Sequence, residues 1–189
     1  TEVATGELGL VIGPRAERMQ MLELSAILAL RGTVRVLDGG NSYNALYVAR
    51  YVRRHTVQLN ETLNCITIAR AFTCYQMVTL LQETATSANS TPLSCSVQAV
   101  SQPTLVLDLL ATFGDGGIDL RESVRLLRLA IVQLQRLCRL APVVVSIRPC
   151  PHHQTDRTIL TEIVMNAATH HFVREPQATI VSQPTLFSF

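Results

Sequence analysis

The chain has 189 residues, of which 48% are hydrophobic and 16% charged, with a formal net charge of +2. That length suits one domain, 1–189, with a sizeable core, and the apolar runs are too short to span a membrane. All sixteen basic residues are arginine, which excludes a lysine Schiff base, a lysine general base or a lysine on phosphate anywhere in the chain. The first residues lack a basic-then-apolar leader pattern, so a cytoplasmic protein with no membrane attachment is expected. The five cysteines, Cys65, Cys74, Cys95, Cys138 and Cys150, are scattered and mostly lie in apolar stretches, which reads as reduced, buried thiols.

LGLVIG (8–13) reads as a first strand, and GPRAERMQ (13–20) has the layout of a phosphate-binding loop opening a helix. A working loop of that kind, G-x-x-x-x-G-K-[ST], holds phosphates on backbone amides, neutralises them with lysine and ligates magnesium through the hydroxyl. After Gly13 this chain has neither the lysine nor the hydroxyl. Arg15 and Arg18 beside a helix N-terminus could trap an anion, whereas Glu17 suits the helix dipole and repels one. A closed loop with exposed arginines is the competing reading.

The helix ERMQMLELSAILALR (17–31) is apolar enough to require burial, and TVRVLD (33–38) is a second strand that turns at GGN. SYNALYVARYVRRH (42–55) is a helix whose last turn carries Arg50, Arg53, Arg54 and His55, a cluster that the helix dipole favours by itself. LNCITIA (63–69) is a third strand, and a helix follows through FTCYQMVTLLQE (72–83). Residues 84–102 carry no charge and read as a long polar loop. TLVLDLLATF (104–113) is a fourth strand containing Asp108.

DLRESVRLLRLAIVQLQRLCRL (119–140) is the clearest helix, opened by Asp119 with Glu122 in capping-box spacing. Its Arg121, Arg125, Arg128, Gln135, Arg136 and Arg139 fall on one stripe, which suits either a solvated face or an anionic partner. APVVVSIR (141–148) is a fifth strand, followed by a loop, a short helix near 156–167 and two closing strands, THHFVR and ATIVSQ. VSQPTL occurs at 100–105 and again at 181–186 in different settings, which reads as coincidence. Strands alternating with helices predict an α/β domain with a mainly parallel sheet between helical layers, and antiparallel strands at the C-terminal edge. Cys150, His152 and His153 lack regular ligand spacing, and adjacent histidines rarely face one ion, so no metal site is expected.

LNCITIARAFTCYQMVTLL, VLDGGNSYNALYVARYVRR, TLVLDLLATF and LAPVVVSIR, taken together, resemble the core of RecA-like recombinases, closest to the RadA branch of strand-exchange proteins. The resemblance covers nearly the whole chain and implies a RecA-like three-layer fold that binds ATP and magnesium. It places a degenerate nucleotide site at Gly13, Arg15, Arg18, Gln20 and Asp108, with Asp108 as the magnesium-orienting aspartate. It also implies a DNA-contacting loop after the fifth strand, with Arg148, His152, His153 and Arg157 as candidates. Several family features are missing: the loop lysine and hydroxyl, a glutamate after the second strand, where Gly39 and Gly40 follow Asp38, and the sensor strand's threonine-asparagine-glutamine, replaced by Ser146-Ile147-Arg148.

The expectation is therefore a protein without ATP hydrolysis, with no catalytic residue and no assured cofactor. It would act as an accessory or regulatory subunit in DNA recombination and repair, bound to a RecA-like paralog or to itself. Two alternatives stay open: an unconventional ATPase using arginine for lysine, with Asp108 on magnesium, and a pure protein-interaction module.

Overall fold

Five short runs rich in valine, isoleucine and leucine and a sixth, HHFV, pair side by side, and the longer segments between them fold over both faces of the resulting sheet. The structure is a computed structural model that describes residues 4–89, 102–114, 117–149 and 155–173. The strands are β1 (Leu8–Ile12), β2 (Val34–Asp38), β3 (Ile66–Arg70), β4 (Thr104–Leu107), β5 (Val143–Ile147) and β6 (His170–Val173). The helices are α1 (Arg18–Ala29), α2 (Ala45–Arg53), α3 (Leu59–Asn64), α4 (Cys74–Asn89), α5 (Leu120–Cys138) and α6 (Thr158–Ala167). All pairings are parallel and the order across the sheet is β3-β2-β4-β5-β1-β6.

One apolar cluster joins Met21, Leu22 and Ala26 of α1 and Val48 and Val52 of α2 to the sheet. A larger one joins Met77 and Leu81 of α4, Leu127 and Leu134 of α5, and Leu160 and Val164 of α6 to the opposite face. The connections leaving β1 and β2 therefore cross one face, and those leaving β3, β4 and β5 cross the other. Right-handed crossovers require this split, since the chain moves one way along the sheet on the first face and the other way on the second.

The three-layer α/β expectation holds at this level. THHFVR, expected at an antiparallel edge, instead supplies β6, which joins β1 in parallel because α6 returns the chain to the starting end of the sheet. ATIVSQ lies outside the described residues. The expected 84–102 loop begins later, since α4 runs on to Asn89; residues 90–101 lie outside the described ones. TLVLDLLATF leaves the strand at Asp108 and turns through a short 3-10 segment, Leu109–Ala111. α3 was not expected. α1 is buried along one side only, leaving Met19 and Ile27 at its surface. No described helix is long and apolar enough to cross a membrane.

Among the described cysteines, Cys74 and Cys138 are buried and Cys65 is half-buried; Cys95 and Cys150 lie outside. Burial pushes the Cys138 thiol up to about 11.

α5 begins as expected at Asp119, whose carboxylate accepts the Arg121 N–H at 3.1 Å. The capping box does not form: Glu122 takes a two-pronged bond from Arg125, at 2.7 Å on each oxygen, and a further bond from the Tyr75 hydroxyl of α4. Asp119→Ala should therefore cost about 1 kcal/mol in chemical denaturation, the usual loss for an N-cap. Glu122→Ala should cost clearly less than this, since it removes an exposed ion pair, whereas a reciprocal box would make the two losses comparable.

Candidate functional site

In a parallel sheet flanked on both sides, the natural crevice opens at the carboxyl ends of neighbouring strands whose connections leave toward opposite faces. Here β5 and β1 are such a pair, and so are β4 and β2. The segments ending these four strands are Gly13–Glu17, Asp38–Ser42, Asp108 and Arg148, all at one edge.

The loop after β1 folds onto itself. Gly13 N–H donates to the Ile147 carbonyl, Ala16 N–H to Gly13 and Arg18 N–H to Arg15, so these three amides are spent on backbone. Ala16 and Glu17 both hold left-handed backbone, with φ of 51° and 43°. That geometry brings the Glu17 side chain back over Gly13, where it fills the space a Cβ would take. An acidic group thus lies against the turn, and Arg15, Arg18 and Gln20 are exposed to solvent. The loop presents carboxylate at a position where a phosphate-binding loop presents amides.

Asp108 ends β4 with a left-handed φ of 47° and is only 2% exposed. Its N–H donates to the Ser146 hydroxyl of β5 at 3.0 Å, and its Oδ2 accepts from Arg148 Nη2 at 2.5 Å. The Oδ1 atom is buried with no hydrogen-bond partner among the described residues. A carboxylate withdrawn from water demands a nearby cation, and Arg148 supplies it from the end of the adjacent strand.

The turn after β2 closes the other side. A Cβ on Gly40 would lie 2.8 Å from Asp108 Cβ and 2.9 Å from its Oδ2, and one on Gly39 would lie 2.8 Å from Met77 Cε. This packing leaves no room for a side chain at Gly40, and at Gly39 one would enter only by displacing the end of Met77. Asp38 is fully buried and accepts the N–H groups of Ser42 and Tyr43, each at 2.9 Å, with Arg70 Nε at 3.4 Å. It shapes the turn.

Of the residues expected at a nucleic-acid loop, Arg148 is held by Asp108. Arg157 donates to the carbonyls of Phe113 and Ile118, at 3.0 and 2.7 Å, and ties the start of α6 to the segment before α5. His152 and His153 lie outside the described residues, as does Cys150. His171 Nε2 lies 2.9 Å from the Met165 carbonyl, and His170 Nε2 lies 2.9 Å from Glu7 Oε2. Among the described residues no three metal-ligating side chains come together. His55 at the end of α2 stacks on Tyr51 with ring centroids 4.5 Å apart.

Sequence reasoning found Asp108 and Arg148 separately and missed that they pair. The Gly39-Gly40 dipeptide was the available signal, since two successive glycines after a buried strand mark a close approach of backbone to a neighbour.

Arg148→Met should lower stability by about 1–3 kcal/mol in urea denaturation, since it leaves the buried Asp108 charge without its cation, with part of that interaction screened by solvent. In an Asp108→Asn background the same substitution should cost at least about 1 kcal/mol less, because no buried charge remains. Gly40→Ala should cost about 1–3 kcal/mol through overpacking against Asp108. Compared with models of known families and with curated proteins, the sequence matches none.

Proposed function

We propose that the chain is a catalytically degenerate RecA-like core, an accessory or assembly subunit in DNA recombination and repair that neither hydrolyses ATP nor depends on it. One observation carries the first half of this reading: the sheet edge where such a family would hold nucleotide is occupied by the chain's own charges. Glu17 lies over Gly13, and Arg148 lies on Asp108. Hydrolysis requires clamped phosphates, a positioned metal and an oriented water at once. Here the loop turns a carboxylate to the phosphate position, and the aspartate that would orient magnesium already has an arginine as its counter-charge.

The link to recombination rests on the sequence resemblance. It is supported by the parallel three-layer architecture and by the convergence of the ends of β1, β4 and β5 on one edge. A RecA-like paralog or a second copy is the partner class, since a domain without its own chemistry acts through what it holds. DNA contact stays part of the proposal through the loop that begins at Arg148.

Equilibrium titration with a fluorescent ATP analogue and magnesium tests the nucleotide part. No saturable binding below about 1 mM is expected, and phosphate release should stay at the buffer rate. Submillimolar binding that Asp108→Asn abolishes would replace this reading with the arginine-based ATPase. Fluorescence anisotropy with labelled single-stranded and duplex DNA at low salt tests the other part. Binding that weakens steeply with added salt supports the recombination role, and no binding even at low salt moves the chain to the protein-interaction class.

A further inference from the structure

The outward side of α5 carries features that folding does not use. Leu126, Leu127, Ala130, Ile131, Leu134, Leu137 and Cys138 face inward and are buried, which satisfies the helix's share of the core. On the opposite side Arg121, Arg128, Val132, Arg136 and Arg139 follow one another at spacings of three, four or seven residues, so they form one stripe. From Arg121 to Arg139 it is about 27 Å long at 1.5 Å per residue.

The charge on this stripe is unbalanced. Arg125 is taken up by Glu122, whose carboxyl is held below its usual range chiefly by that bond. Arg121, Arg128, Arg136 and Arg139 have no carboxylate partner among the described residues, and Arg136 makes a 3.3 Å bond to Gln133 only. Between the arginines lie two aliphatic side chains, Leu129 at 41% exposure and Val132 at 42%. A helix face meant only for water gains nothing from a leucine and a valine at its centre.

We propose that this face of α5 docks an acidic amphipathic segment of a partner protein, with Leu129 and Val132 as the apolar centre and Arg121, Arg128, Arg136 and Arg139 as the charged flanks. An apolar centre with a charged rim is the anatomy of a protein interface, and arginine is enriched at such surfaces. A helical partner with leucines at i, i+3 or i+4, and i+7, and glutamates on either side, complements it in both respects. A nucleic-acid backbone fits less well. The aliphatic pair interrupts the stripe, leaving about 12 Å between Arg128 and Arg136 along the axis with no positive charge to meet phosphate. The surface belongs to the helical layer and not to the closed sheet edge, so it stands whether or not the chain is RecA-like.

The test uses the whole chain and a labelled helical peptide of about 18 residues with a leucine stripe flanked by glutamates, followed by fluorescence anisotropy. Saturable binding is expected, weakened about tenfold or more by Arg128→Glu with Arg136→Glu, and about threefold or more by Leu129→Ser with Val132→Ser. Both variants alter surface positions, so each should melt in one cooperative transition somewhat below the parent's, Arg136→Glu through the lost dipole contact in the last turn of α5, and should be fully folded at the assay temperature. The proposal is overturned if the peptide does not bind or if a glutamine version binds equally well. It is also overturned if either variant leaves binding unchanged, or if a duplex of about 20 base pairs competes through the same arginines more strongly than the peptide.

Discussion

A carboxylate at the end of a fully buried strand must find a counter-charge, and much of the architecture at this sheet edge follows from how Asp108 finds one. Arg148 comes from the adjacent strand and reaches sideways to it, so β4 and β5 are tied at their ends by an ion pair as well as by their ladder. The Ser146 hydroxyl holds the Asp108 amide in its left-handed turn. On the far side the turn after β2 approaches so closely that a Cβ at position 40 would clash with Asp108 itself. With Arg148 beside it, Asp108 has its counter-charge within the chain.

The same edge shows how local geometry and chemistry reinforce one another. Two consecutive left-handed residues, Ala16 and Glu17, cost conformational energy that a glycine would not incur. Their effect is to close the loop after β1 on its own backbone and to turn Glu17 over Gly13. Glu17, Gly40, Asp108 and Arg148, far apart along the chain, meet at this one edge. There they form a packed surface in which Arg148 balances the buried Asp108. The outer face of α5 is different: its arginines at 121, 128, 136 and 139 have no carboxylate partner among the described residues, and Leu129 and Val132 are exposed beside them.

Much of the secondary structure was legible because the strands and α5 carry strong periodic signals. LGLVI, VRVLD and VVVSI are apolar runs of strand length, and α5 announces itself with Asp119 followed by a regular apolar repeat. Less was legible where two local rules competed. LLATF continued the apolar run of β4, yet the chain turned at Asp108 because the carboxylate had to reach Arg148. Glu122 had capping-box spacing, yet Arg125 one turn on and Tyr75 on the neighbouring helix took both its oxygens. Arg157 looked like a ligand-facing arginine, and two backbone carbonyls that are distant in sequence claimed it.

From the sequence alone come the absence of lysine chemistry and the alternation of strands and helices that makes an α/β sheet. These depend on residue type and near-neighbour spacing, which a linear chain displays in full. Only the tertiary structure decided the strand order, the parallel placement of β6, and the pairing of Asp108 with Arg148 across 40 positions of sequence. A charge partner is chosen by distance in the folded molecule, and that distance exists only once the crossovers have set β4 beside β5.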